Sequence, residues 1–110
     1  MTVHRLKTDR APFAQILLGN KTAEFRRDDR TPPFAVGDVL HLEEWDRDDQ
    51  ERTPQEIHVL VTHILRDAYG VPDGYAMLSF RAPTHYYDLA QTDEPIPLAT
   101  LGQPPARKDW

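Results

Sequence analysis

The sequence GNKTAEFRRDDR, residues 19–30, holds the end of a helix, a short strand and a cluster of cations. Gly19 and Asn20 are typical of a helix C-terminus, because glycine readily adopts the left-handed conformation found there. The alternation between Lys21 and Arg27 predicts a strand, with Phe25 as its inward side chain. Residues 28–33 end in Thr-Pro-Pro, which cannot sustain a β ladder. This stretch therefore predicts a junction between a helix and a charged strand.

Charge is distributed unevenly around this junction. Residues 1–30 hold seven of the 13 Lys and Arg residues and four of the 18 acidic residues, a net charge of +3, whereas the other 80 residues carry −8. A cationic segment on an anionic body indicates a site for an anionic or polar ligand, although a solvated charged strand would have the same composition. The net charge of −5 argues against coating a long nucleic acid but permits a small basic cleft.

The flanking residues predict a mainly-β domain of the α+β class. Asp9 and Pro12 favour a helix start, and Phe13, Ile16 and Leu17 follow at helical spacing. With one helix and several short strands, we expect a small, partly open β-barrel with a single N-terminal helix. Strands are predicted at 3–7, 39–45, 56–66 and 75–81, with polar loops at 46–54 and 67–74.

The composition changes after residue 82, which predicts one domain over 1–82 and a Pro-rich, mostly irregular tail over 83–110. Five of the ten prolines lie in this tail. Alternatively, the Pro-rich tail could be a docking strip for a protein partner. The tail also has apolar side chains that could dock it on the barrel. They are Tyr86, Tyr87, Leu89, Ile96 and Leu98.

Several classes of site and location are not expected from the sequence. The chain has no cysteine, which excludes disulfides and thiolate metal sites. The five histidines show no His-x-x-x-His spacing, so we expect no metal site, and His4 reads as a lone exposed histidine. No cofactor fingerprint is present. A signal peptide and an apolar stretch of membrane-spanning length are also missing, which predicts a cytoplasmic protein with no membrane association.

Several short motifs occur in order between residues 3 and 81. They are His-x-Leu-Lys from His4, Gly-x-Lys-Thr-x-Glu-x-Arg from Gly19, Phe-x-Val-Gly-Asp from Phe34, Glu-Trp at Glu44, Thr-x-Ile-Leu from Thr62 and Gly-Tyr at Gly74. Together they resemble the ASCH branch of the PUA-like superfamily, and in particular a compact bacterial and phage group long catalogued as a domain of unknown function. The resemblance implies a PUA-like β-barrel with a cleft beside the first helix.

The same resemblance implies a function in nucleic-acid chemistry. ASCH proteins have been proposed as RNA-binding modules, some relatives hydrolyse a modified cytidine, and ribonuclease activity has been attributed to others. In the amidohydrolase relatives a lysine, a threonine and a distal glutamate act together. Lys21 matches that lysine, whereas Glu24 stands where the threonine would be.

We therefore expect an RNA- or (modified) nucleoside-binding module with a small basic cleft. A lysine can neutralise a phosphate, a carboxylate can accept the amino donor of a base, and guanidinium groups fit phosphate oxygens. Trp45 could stack on a base or simply pack. The alternative is a hydrolase in which Lys21 and Glu24 are catalytic, and a third reading is an ion-pair set that only rims the barrel. The expected ligand-binding residues are Lys7, Lys21, Glu24, Arg26, Arg30 and Trp45.

Overall fold

One seven-stranded sheet and one short helix form the part of the chain that the computed structural model describes, residues 1–101. The strand order is β1-β3-β4-β5-β2, with β6 paired to β4 and β7 to β6. The β1–β3 pair is parallel and the other pairs are antiparallel. The elements are β1 (Val3–Asp9), α1 (Arg10–Leu17), β2 (Ala23–Arg27), β3 (Val39–Asp46), β4 (Glu51–Leu65), β5 (Tyr75–Phe80), β6 (His85–Asp88), β7 (Ile96–Pro97) and a 3₁₀ turn (Leu98–Thr100).

This architecture confirms the mainly-β α+β class predicted from the sequence. The sheet is open, because β1 and β2 lie at its two ends in the described range. Within residues 1–101 no helix is long and apolar enough to cross a membrane. The PUA-like identity of the fold stays a prediction.

The hydrophobic core lies on one face of the sheet. Alternate side chains of β4 point toward this face. Ile57, Val59 and Val61 are buried, as the alternation predicts. The helix α1 packs on β1 and β3 and contributes Phe13 and Ile16, which are almost completely buried. The other core side chains are Leu6, Phe34, Leu40, Leu42, Ala76, Leu78, Phe80 and Tyr86.

The predicted loop at 46–54 is wrong, because β4 begins at Glu51. A tight turn precedes it, with Gln50 at a φ of 56°. Pro54, which seemed to end the loop, lies inside β4. The strand tolerates this proline because the pairing register with β3 shifts beside Glu44, so the ladder is interrupted there.

The inward orientation predicted for Phe25 is also wrong, because its side chain is 48% exposed. Its pairing partner on β5 is Met77, on the outer face, whereas Glu24 pairs with the fully buried Leu78. Glu24 and Arg26 are therefore the inward residues of β2. From this face Arg26 spans the gap to β1 with polar contacts.

His4 is not the exposed histidine that the sequence suggested, since only 3% of it is accessible. Its Nε2 lies 2.8 Å from Oδ2 of Asp38, which also accepts a hydrogen bond from the Ala35 amide at 2.9 Å. Oδ1 of Asp38 accepts one from the Thr2 amide at 3.0 Å. Burial raises the pKa of Asp38, but these hydrogen bonds outweigh it and hold the pKa below its ordinary value. The pair fixes the start of β1 beside the turn before β3.

The segment after residue 82, expected to be Pro-rich and mostly irregular, adds two short strands to the sheet. The β6 strand pairs with β4, and β7 pairs with β6. Tyr86 is buried in the core, and Ile96 and Leu98 pack against it. Turns and extended backbone make up the rest of 83–101. The remainder of the predicted tail, 102–110, lies outside the described residues.

Candidate functional site

Two arginines bridge the open ends of the sheet. Nη2 of Arg26 donates to the Lys7 carbonyl at 2.9 Å and to Oγ1 of Thr8 at 3.1 Å. Nη2 of Arg30 donates to the Arg5 carbonyl at 2.9 Å. Carbonyls two residues apart point the same way along a strand, so both arginines satisfy one edge of β1. Side chains rather than a backbone ladder thus connect β2 to β1.

A cleft of about 290 Å³ opens beside this junction. We call it the seam cleft. The end of β1 and the first turns of α1 form one wall, and β2 with the start of β5 forms the other. Its lining combines three cations, two carboxylates, two aromatic rings and a proline. These residues are Lys7, Asp9, Pro12, Glu24, Phe25, Arg26, Arg27 and Tyr75.

Ion pairing holds the inner wall of the seam cleft in place. Nε of Arg26 donates to Oε2 of Glu24 at 2.9 Å. The Arg26 side chain is 23% exposed and that of Glu24 is 13% exposed. Because both side chains are largely shielded from water, their attraction is screened less than that of a surface pair. Glu24 thereby orients the guanidinium that reaches β1.

Cations also lie over aromatic faces in and beside the seam cleft. The guanidinium of Arg27 lies 5.7 Å from the Tyr75 ring centroid, and these two residues are cross-strand partners. Nζ of Lys7 lies 4.0 Å from the Trp45 ring centroid. Such contacts place positive charge beside flat rings, which is the combination that binds the phosphates and bases of single-stranded nucleic acid.

The structure brings together only some of the residues predicted for ligand binding. Lys7, Glu24 and Arg26 line the seam cleft. Trp45 contacts Lys7 but does not line that cleft, and Arg30 bonds to β1 further along.

The predicted catalytic pair, Lys21 and Glu24, does not share the seam cleft. Lys21 precedes β2, and its backbone amide donates to the Gln15 carbonyl at 3.1 Å. It is not among the residues that line the cleft.

Arg27 and Tyr75 are not among the residues that the sequence predicts for ligand binding. Both line the seam cleft together. The signal that would have joined them is the antiparallel pairing of β2 with β5, which sets Arg27 directly opposite Tyr75. That pairing is not visible in the periodicity of either strand alone.

A second polar cluster lies on the outer face of the β3–β4 hairpin, opposite the core. It consists of His41, Glu56 and His58, whose ligand-type atoms all lie within 4.8 Å of one another. We call it the histidine–glutamate cluster. Burial lowers the pKa of His41, and the guanidinium of Arg5 lowers it further. Partial desolvation among its neighbours also lowers the pKa of the more exposed His58.

This cluster is not predicted from the sequence, because its two histidines are 17 residues apart. The pattern is nevertheless present, as His-x-Glu from His41 and Glu-x-His from Glu56. In an antiparallel hairpin, two such patterns place their histidines and glutamates on one face when the pairing register sets the two patterns opposite each other. Here His41 pairs with His58, and Glu43 with Glu56.

The sheet, the short helix and the polar cleft define a small mainly-β domain of the α+β class with an open sheet. Residues 3–80 match the family described as Domain of unknown function (DUF3850), and the chain belongs to this family. No curated protein matches the chain significantly. The relationship to ASCH proteins stays a prediction.

Proposed function

We propose that the protein binds RNA, or a nucleoside or modified nucleoside, in the seam cleft. The observation that carries the proposal is the presence in one cavity of three cations, two carboxylates and two exposed aromatic rings. Cations neutralise phosphates, and flat rings stack on bases of any sequence. A volume of about 290 Å³ is near the lower limit for small-molecule sites, so we expect it to hold one nucleotide unit at a time.

The contacts suggest a role for each wall. Phe25 is 48% exposed and Tyr75 is 36% exposed, so both rings can stack on a base. Lys7 and Arg27 would neutralise the adjacent phosphates. Arg26 is already engaged with Glu24 and with β1, and we assign it chiefly to holding the cleft together.

Titration of a labelled single-stranded RNA, followed by fluorescence anisotropy at several salt concentrations, tests this proposal. Tyr75→Ala should cost about 1–3 kcal/mol of binding free energy through lost stacking, with an unchanged salt dependence. Lys7→Ala should weaken binding and reduce the log–log salt slope by about 0.7, the value for one phosphate contact on a single strand.

Two variants outside the cleft serve as matched controls. Tyr69→Ala removes a fully exposed tyrosine from the 66–74 loop, and Arg81→Ala removes an exposed cation after β5. Both should bind RNA as the wild type does. The proposed cleft is wrong if Tyr75→Ala and Lys7→Ala bind RNA as tightly as the wild type does and also bind free nucleosides with unchanged affinity.

The hydrolase alternative is separated from binding by incubating the protein with acylated cytidines and with labelled RNA. Turnover that disappears in Lys21→Ala and Glu24→Gln would establish hydrolysis. Binding of RNA or nucleosides without turnover would support the binding function over the hydrolase alternative. Lys21 does not line the seam cleft. The RNA affinity of Lys21→Ala therefore shows whether Lys21 contributes to binding from outside the cleft.

A further inference from the structure

The histidine–glutamate cluster lies apart from the seam cleft, on different strands. His41 belongs to β3, and Glu56 and His58 belong to β4. His41 and Glu56 are buried although they lie on the face of the sheet away from the core. Buried ionisable side chains are costly unless they are paired or coordinate a metal, and here His41 and Glu56 are paired with each other.

We propose that His41, Glu56 and His58 bind a divalent transition-metal ion, with Zn²⁺ as the expected ion. Two imidazoles and one carboxylate form a donor set that zinc uses, leaving a further position for water or another ligand. Magnesium and calcium are less suited, since they prefer oxygen ligands throughout.

The distances fit such a site after a small adjustment. Zinc bonds of roughly 2.0–2.2 Å in tetrahedral geometry separate neighbouring ligand atoms by about 3.3 Å. The three ligand atoms here lie within 4.8 Å of one another. Nε2 of His41 and Oε1 of Glu56 are 2.6 Å apart, so this pair must open by about 0.7 Å to admit the ion.

Binding also requires a change in the His41 ring. In the tautomer in which Nε2 of His41 donates to Oε1 of Glu56, that proton must leave Nε2 before the nitrogen can offer its lone pair to the metal. Transfer of that proton to Nδ1 gives the other neutral tautomer, so the ring remains uncharged. The ion thus takes the place of the shared proton between the two side chains.

Neighbouring side chains are arranged as outer-shell partners of this kind of site. Arg52 forms an ion pair with Oε2 of Glu56, which leaves Oε1 directed at the histidines. The Tyr87 ring stacks on His58 with centroids 4.6 Å apart and restricts its orientation. Partners that fix ligand orientation in this way are typical of metal sites.

The charged side chains around the cluster balance one another. Glu43 lies 3.7 Å from Arg5 and 3.3 Å from Arg52, so the two guanidinium groups are matched by Glu43 and Glu56. A cavity of about 290 Å³ adjoins the cluster at His58. His58, Thr84, His85, Tyr87 and Pro95 line this cavity.

Isothermal titration calorimetry of the full, tag-free chain with Zn²⁺ tests the proposal. His58 is exposed, so His58→Ala should fold normally, and Glu56→Gln keeps the side-chain shape. Each should lower zinc affinity by ~10–100-fold or more, because replacing even a residue that only orients a metal ligand typically costs this much. The matched control is His63→Ala, which removes an exposed histidine of the same strand outside the cluster.

The outcomes separate a metal site from a simple hydrogen-bonded pair. Stoichiometric zinc binding that is lost in His58→Ala and Glu56→Gln but kept in His63→Ala supports the site. Co²⁺ should then give the intense visible absorption of a low-coordinate ion, lost in the same two variants. No stoichiometric binding by the wild type, or equal binding by His58→Ala, overturns the proposal.

Discussion

Replacing Arg26 with alanine should destabilise the protein by disconnecting β2 from β1. Three hydrogen bonds are lost, to Glu24, the Lys7 carbonyl and Oγ1 of Thr8. At about 1 kcal/mol each they total about 3 kcal/mol. Because the Arg26 side chain is 23% exposed, water can replace part of this, and we expect a loss of about 2 kcal/mol in the free energy of unfolding.

Urea unfolding with linear extrapolation measures this loss. Arg26→Lys keeps the charge but not the fork that contacts both strands, so its loss should be intermediate. Arg27→Ala is the matched control, because Arg27 is exposed and its guanidinium reaches the Tyr75 hydroxyl only at the limit of hydrogen-bond distance, 3.5 Å. It should stay within about 0.5 kcal/mol of wild type. If Arg26→Ala is as stable as Arg27→Ala, Arg26 does not hold the two strands together.

Further predictions concern buried and exposed side chains elsewhere in the fold. Asp38→Asn should cost about 1–3 kcal/mol at neutral pH, because buried hydrogen-bonded groups lose a charged acceptor. The pKa of Asp38 is lowered on folding, so its stabilisation is present above the ordinary carboxyl pKa and lost as the pH falls through the lowered value. Urea unfolding at a series of pH values should therefore show a weaker acid-side loss in Asp38→Asn, and an unchanged loss would contradict the assignment. Phe25→Ser should change stability by less than about 0.5 kcal/mol, whereas Phe13→Ala should cost about 3–5 kcal/mol. The reverse order in the same assay would show that Phe25, and not Phe13, is the core residue.

The sequence was sufficient for the features that depend on local pattern. The helix around Phe13 and Ile16 was predicted from spacing, and Gly19, at a φ of +81°, follows it as expected for a helix end. The buried face of β4 followed from the alternation of Ile57, Val59 and Val61. These features are set by residues near one another in the chain, so periodicity reveals them.

The features that depend on distant pairing could not be predicted in this way. Phe25 was placed inward because an apolar residue in an alternating strand usually faces the core. That inference fails because β2 ends the sheet, where Arg26 meets the edge of β1. His41 and His58 likewise come together only through the pairing register of the hairpin. That register shifts near Pro54, and the sequence pattern does not predict the shift.

The most direct test of the proposed function is to map the ligand on the protein by backbone-amide NMR. Single-stranded RNA or nucleoside monophosphates are titrated into the isotope-labelled chain, and the amides whose signals shift are identified. Our account predicts concentration-dependent shifts at Lys7, at residues 24–27 and at Tyr75, with little change at residues 66–71. Shifts confined to other surfaces, or none at saturating ligand, would contradict it.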